Sequence, residues 1–146
     1  MSNSTEPLRV LVYSDDRTVR QEVKLALGRR IAADLSEVEV FEVATGPAAI
    51  RALDQGRYDA LIFDGEATPE GGMGLAYQIK DEIPNCPPVL LLVARVADAW
   101  LATWSKADAI SAHPVDPVQL PGQLAQMVRR ARSGETTGAY AEPITQ

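Results

Sequence analysis

Apolar residues along this chain fall into two alternating patterns, short unbroken runs and stretches with a helical period. Leu8-Arg-Val-Leu-Val-Tyr13 is a β-branched apolar run closed by Ser14-Asp15-Asp16, the pattern of a buried strand with carboxylates at its end. From about Thr18 to Ala32, the residues Val19, Val23, Leu27 and Ile31 recur at intervals of four, which lines one face of an amphipathic helix. Val38 to Val43 predicts a second strand, and Thr45-Gly46-Pro47 a turn opening a short helix over Ala48 to Leu53. Asp59-Ala-Leu-Ile-Phe-Asp64 reads as a third buried strand, again ending in a carboxylate. A Gly-rich loop, Gly65 to Gly74, then leads to a helix from about Leu75 to Glu82. Asn85-Cys-Pro-Pro88 breaks the chain before a fourth strand, Val89 to Val93. A helix carrying Trp100 and Trp104 is predicted next, then a weak strand, Ala109 to Ala112. His113-Pro114 ends that strand, and a last helix runs from about Pro117 to Arg132.

Five strands alternating with five helices predict a three-layer α/β fold with a parallel sheet. The first, third and fourth strands do not alternate, as expected of strands covered on both faces. The expected architecture is the flavodoxin-like doubly wound sheet, in the order 2-1-3-4-5 with helices on both sides. One domain is expected over residues 8–132. The polar first seven residues and the stretch from Ser133 to Gln146, which has no apolar period, read as disordered ends. No internal repeat or second domain is evident.

Size and charge narrow the function classes. A chain of 146 residues can bury about two-thirds of its unfolded surface in one core. Fourteen basic against twenty acidic side chains give a net charge of −6, which argues against nucleic acid and anionic membrane as partners. Cys86 is the single cysteine, so no internal disulfide forms, and a reduced compartment is the simplest setting. The acidic N-terminus is unlike a secretory signal, and the longest apolar run, Val89 to Ala94, is too short to span a bilayer. The expectation is a soluble, cytoplasmic protein.

Candidate chemistry lies at the strand ends. In an open parallel sheet, ligands bind outside the carboxyl ends of the strands, where the strand order reverses. Asp15 and Asp16 follow the first strand and Asp64 ends the third, which are neighbours in the expected order. Carboxylates gathered there suit a hard cation such as Mg²⁺, with Asp64 at the strand tip as the natural nucleophile toward a phosphoryl group. The structural alternative is that each caps a strand or helix, and for Asp16, just before a helix, that reading weighs as much as ligation.

Four separated segments resemble response-regulator receiver domains of the CheY-like superfamily, over about Leu8 to Arg130. Arg9-Val-Leu-Val-Tyr-Ser-Asp-Asp16, with Arg20 beyond it, resembles their first strand and acidic cluster. Tyr58-Asp-Ala-Leu-Ile-Phe-Asp64 resembles the phospho-acceptor strand and Pro87-Pro-Val-Leu-Leu-Leu-Val-Ala-Arg95 the fourth strand. His113-Pro-Val-Asp-Pro117 resembles the Lys-Pro-Phe turn. The loop after Asp64 and the 112–117 segment look like those of atypical single-domain regulators of actinobacteria. The resemblance implies that Asp64 is the phosphorylated aspartate and Asp15 an acidic metal ligand, with Mg²⁺ as cofactor. Ser14 stands where a second acid is usual, Asp16 is one position too late, and Glu66 lies where a main-chain carbonyl binds the metal. The metal set is therefore Asp15, Asp16, Asp64 and Glu66, weakened by Ser14.

Departures from the family fall on its switch. Val93 stands where a Thr or Ser hydroxyl meets the phosphoryl oxygen, and valine cannot donate. Ile110 occupies the place of an aromatic that swings inward. His113 replaces the Lys that pairs with the phosphoryl group, and imidazole has a reference pKa of about 6.5. The loop after Asp64 is also longer than usual.

The expectation is a signalling protein, not an enzyme, in a two-component-type pathway. Asp64 is its acceptor or relic acceptor, a sensor kinase is its partner, and output passes through protein contacts. The alternative is a receiver-fold adaptor that binds a partner regardless of phosphate. A flavodoxin-like binder of a small molecule ranks third. Trp100 and Trp104, one helical turn apart, face either the core or a partner. If a partner, a homodimer through the fourth helix, fifth strand and fifth helix follows. Gly71-Gly-Met-Gly74 lacks the Lys-Ser/Thr of a phosphate-binding loop, so nucleotide binding is not expected. Arg129, Arg130 and Arg132 close the last helix, where cations meet its dipole favourably. A catalytic triad fails because the single histidine has only the distant Cys86 as a nucleophile.

Overall fold

The computed structural model describes residues 6–68, 70–94 and 105–134. Within them lie strands β1 (Leu8–Tyr13), β2 (Val38–Val43), β3 (Ala60–Asp64), β4 (Val89–Val93) and β5 (Ala109–Ala112). The helices are α1 (Arg17–Leu27), α2 (Gly46–Gln55), α3 (Gly72–Glu82) and α4 (Leu120–Arg132). The strands form one parallel sheet in the order β2-β1-β3-β4-β5, the doubly wound flavodoxin-like arrangement. Four helices are described where five are predicted. The helix expected to carry Trp100 and Trp104 falls outside the described residues.

Strand pleating explains why three strands read as apolar throughout. Val10 and Val12 of β1, Ala60 and Ile62 of β3 and Leu90 and Leu92 of β4 all face one side. There they pack against Val19, Val23 and Leu27 of α1 and Leu124 and Val128 of α4. The alternate residues Leu11 and Tyr13, Leu61 and Phe63, and Leu91 and Val93 face the other side, against Ala49 of α2 and Leu75 and Ile79 of α3. Each of these strand residues thus belongs to one of two cores. Fully burying a side chain of this size contributes about 1.5–3 kcal/mol.

Element ends differ from the sequence expectation at several places, α2 among them, which runs from Gly46 to Gln55 where Ala48 to Leu53 is expected. Helix α1 stops at Leu27 because Gly28 turns the chain at φ +60°, its N–H capping the Lys24 carbonyl. The apolar period continues past that stop because Ile31 and Leu35, in the following loop, cover the same core. Helix α3 begins at Gly72, before the expected Leu75, so part of the glycine-rich stretch is helical. Helix α4 begins at Leu120, because the Asp116 carboxylate first takes the amides of Val118 and Gln119 at 2.9 and 3.1 Å.

Among the described residues, no helix is long and apolar enough to cross a membrane.

Candidate functional site

Register places the chemistry. Tyr13 of β1 pairs with Phe63 of β3, so the next residues, Ser14 and Asp64, lie abreast at the carboxyl edge. The Ser14 hydroxyl, fully buried, donates to Asp64 Oδ2 at 2.7 Å. The other carboxylate oxygen, Oδ1, accepts the Glu66 amide at 2.8 Å and lies 3.4 Å from His113 Nε2, an ion pair whenever the imidazole is protonated. Asp64 itself is 2% exposed. A carboxylate this buried demands donors on both oxygens, and Ser14, Glu66 and His113 are those neighbours.

Asp15 points elsewhere. Its two oxygens accept the amide and the hydroxyl of Thr68, at 3.1 and 3.0 Å. Nearby, the Tyr13 hydroxyl donates to the Glu70 carbonyl. That hydroxyl is held above its ordinary pKa by burial first, then by the charges of Glu70, Asp15 and Asp64. Asp16 caps α1, its side chain accepting the Thr18 amide at 2.8 Å while its own amide donates to the Ser14 hydroxyl. Of its two weighed roles, the structure gives it the helix cap. Arg20 donates to the Ser14 carbonyl at 2.6 Å and pairs with Glu42 at 3.1 Å, which braces the turn after β1.

The predicted metal set does not assemble. Asp15 is committed to Thr68, Asp16 to α1, and Glu66 offers Asp64 its amide while its side chain is exposed. Among the described residues, no three His, Cys, Asp or Glu side chains gather as a metal-holding group. As arranged, these donors do not fit Mg²⁺, because Asp15 is turned to Thr68 and Asp64 to Ser14 and the Glu66 amide.

Of the positions expected to form a switch, Val93 ends β4, Ile110 lies in β5 and His113 directly follows β5. Val93, 7% exposed, ends β4 beside Ala112 and fills its space with methyl groups. Half-buried Ile110 packs against the core on the α2–α3 side. Trp100 and Trp104 lie outside the described residues. Ser14, Thr68 and Tyr13 as partners of the site were not read from the sequence. Counting the β1–β3 register forward by one residue would have paired Ser14 with Asp64.

No protein-family model matches the chain. The chain is 50% identical over 129 residues to the uncharacterized response regulatory proteins Rv3143 and MT3230 of two Mycobacterium tuberculosis strains, covering 88% of this chain and 97% of each relative. The chain belongs to the response-regulator family. Its fold resembles that of a putative response regulator from Chloroflexus aurantiacus, with a TM-score of 0.73 at 23% identity over 86% of this chain and all of that one. It also resembles DrrB, a Thermotoga maritima OmpR/PhoB homolog, with a TM-score of 0.65 at 20% identity over 90% of this chain. Of DrrB it spans only about half, 55%. The response regulator's fold is therefore that of a receiver domain, and its setting is two-component signalling.

One recess of this response regulator lies away from the acidic edge. A cavity of about 550 Å³ opens at the opposite end of the sheet, lined by Lys80, Ile83, Cys86, Pro88, Asp108 and Ala131. Burial pushes the Cys86 thiol up to about 11, with Lys80 lowering it and Asp108 raising it further. At pH 8 only about one thiol in a thousand would then be ionised. Alkylation of Cys86 by iodoacetamide is expected to run roughly a hundredfold slower than that of a free thiol. A rate equal to that of glutathione under the same conditions would contradict this. A thiol so protonated is a poor nucleophile.

Proposed function

We propose that this response regulator carries its signal at Asp64, which accepts a phosphoryl group on a carboxylate oxygen, and that output passes through protein contacts. The observation that carries this is the Asp64 carboxylate at the tip of β3, buried and bracketed by the Ser14 hydroxyl, the Glu66 amide and the His113 imidazole. In the transfer, the bond from phosphorus to the donor atom, an oxygen in an acyl phosphate, breaks as the bond to Asp64 forms, and the electron pair of the broken bond leaves with the donor. Ser14 and the Glu66 amide hold the nucleophile in one orientation. The His113 imidazole lies beside it, with Nε2 at 3.4 Å from Oδ1. A sensor kinase is the proposed donor in the cell. A homodimer through the tryptophan segment, β5 and α4 is the proposed assembly, and β5 is an edge of the sheet.

The test is mass spectrometry after incubation with a small acyl phosphate, with and without Mg²⁺. The expected result is a gain of one phosphoryl group in the wild type and none in Asp64→Asn. No gain in the wild type would overturn the acceptor role. Val93, which brings no donor to the site, supports a second reading, an adaptor of the same fold that binds its partner regardless of phosphate. Equal partner capture by the wild type and Asp64→Asn would favour it.

A further inference from the structure

The two oxygens of Asp15 are held by one residue, and that residue belongs to the loop after β3. Thr68 donates both its backbone amide and its hydroxyl to Asp15, across 53 positions of chain. The Tyr13 hydroxyl, two residues before Asp15, holds the Glu70 carbonyl of the same loop. Two anchors at the end of β1 thus fasten this loop on either side. Two hydrogen bonds of this kind, one on each oxygen, fix the orientation of the carboxylate, and each bond to a charged acceptor is stronger than a neutral one. A divalent cation approaching Asp64 would need Asp15 to turn away from Thr68. With Ser14 in place of an acid, nothing else on β1 offers a carboxylate in its stead, since Asp16 caps α1.

We infer that Asp15 is the anchor of a clasp closed by Thr68, and that clasp and divalent cation compete for the same carboxylate. The closed clasp explains why the donor set does not fit Mg²⁺ although the chain belongs to a family of signalling receivers. It also makes the loop after β3 the element that must loosen before the acidic edge can take a cation. This deepens the reading of Asp64 and rests on that edge being the functional one.

The experiment measures Mg²⁺ binding by calorimetry and hydrogen exchange of the loop peptide by mass spectrometry, without any phosphodonor. Wild type, Thr68→Val and Thr68→Ser are compared. Valine keeps the shape and the amide but removes the hydroxyl, while serine keeps both donors. Thr68→Val is expected to bind Mg²⁺ roughly tenfold or more tightly than the wild type, in keeping with one charge-assisted bond removed. Its loop is expected to exchange faster, and Thr68→Ser is expected to behave as the wild type. Saturating Mg²⁺ is also expected to speed exchange of the wild-type loop, a readout that needs no variant and stands if Thr68→Val folds poorly. Equal Mg²⁺ affinity in the wild type and Thr68→Val, including no binding by either, would overturn the clasp. So would tighter binding with the loop's exchange unchanged. If the acyl phosphate fails to label Asp64 while these outcomes hold, the acceptor role is lost and the clasp stands.

Discussion

Asp108→Ala is expected to cost about 3–5 kcal/mol of folding stability, because it strips a buried ammonium of its carboxylate. Lys80 of α3 meets Asp108 at 2.7 Å, with the two side chains 8% and 6% exposed. The same carboxylate oxygen accepts the Val89 amide at 2.8 Å, so Asp108 fixes the start of β4 as well as the helix beside it. Alanine removes both interactions and leaves a positive charge in a region that water barely reaches. A domain of this kind is stable by only about 5–15 kcal/mol, so the loss is a large share of the total. The pair as a whole contributes far less than its rupture costs, since desolvating two ions offsets most of their attraction. The double variant Lys80→Met with Asp108→Leu is therefore expected to recover most of the loss. Urea unfolding followed by circular dichroism checks both values. A loss below about 1 kcal/mol for Asp108→Ala would mean that the pair behaves as a surface ion pair. Because Asp108 and Val89 lie at the opposite end of the sheet from Asp64, the surviving folded fraction is expected to respond to the acyl phosphate as the wild type does.

The fold was legible because its two cores leave a double imprint. Val10 and Leu11 face opposite helical layers, and both must be apolar, so β1 reads as a run and not as an alternation. Asp64 was legible for the same reason, as the first polar residue after such a run. Helix ends were less so. Ile31 keeps the period of α1 although the helix has ended at Gly28, since a loop can cover a core as well as a helix can. The partners of the carboxylates were the least legible. The expected neighbouring of the first and third strands groups Asp15 with Asp64, whereas the register sets Ser14 beside Asp64 and leaves Asp15 to Thr68, 53 residues away. The Lys80–Asp108 pair was missed because nothing in a charged residue's immediate sequence announces that it will be buried.

Gly72→Ala is expected to destabilise the protein by about 2–3 kcal/mol, in the upper part of the range for overpacking. A Cβ at Gly72 would lie 2.7 Å from the Asp64 carbonyl oxygen, 2.9 Å from its carbon and 2.9 Å from the Phe63 Cβ. None of these atoms ends a flexible side chain, so α3 and the tip of β3 would have to move apart. The Asp64 carbonyl also accepts the Ala67 amide at 3.2 Å, which ties that movement to the loop after β3. Gly74, two residues on in the same helix, makes a control. A Cβ there would meet nothing within 4 Å. Gly74→Ala is expected to stabilise by about 0.5–1 kcal/mol through the reduced freedom of the unfolded chain and better helix propensity. Opposite signs at two glycines of one helical turn separate steric exclusion from helix propensity, which would favour alanine at both. Urea midpoints of the two variants supply the comparison, and a Gly72→Ala protein as stable as Gly74→Ala would refute the close packing of α3 on Asp64. The same displacement is expected to loosen the bracket around the Asp64 carboxylate. Acyl phosphate labelling of Gly72→Ala should then fall below that of Gly74→Ala even under conditions where both are folded.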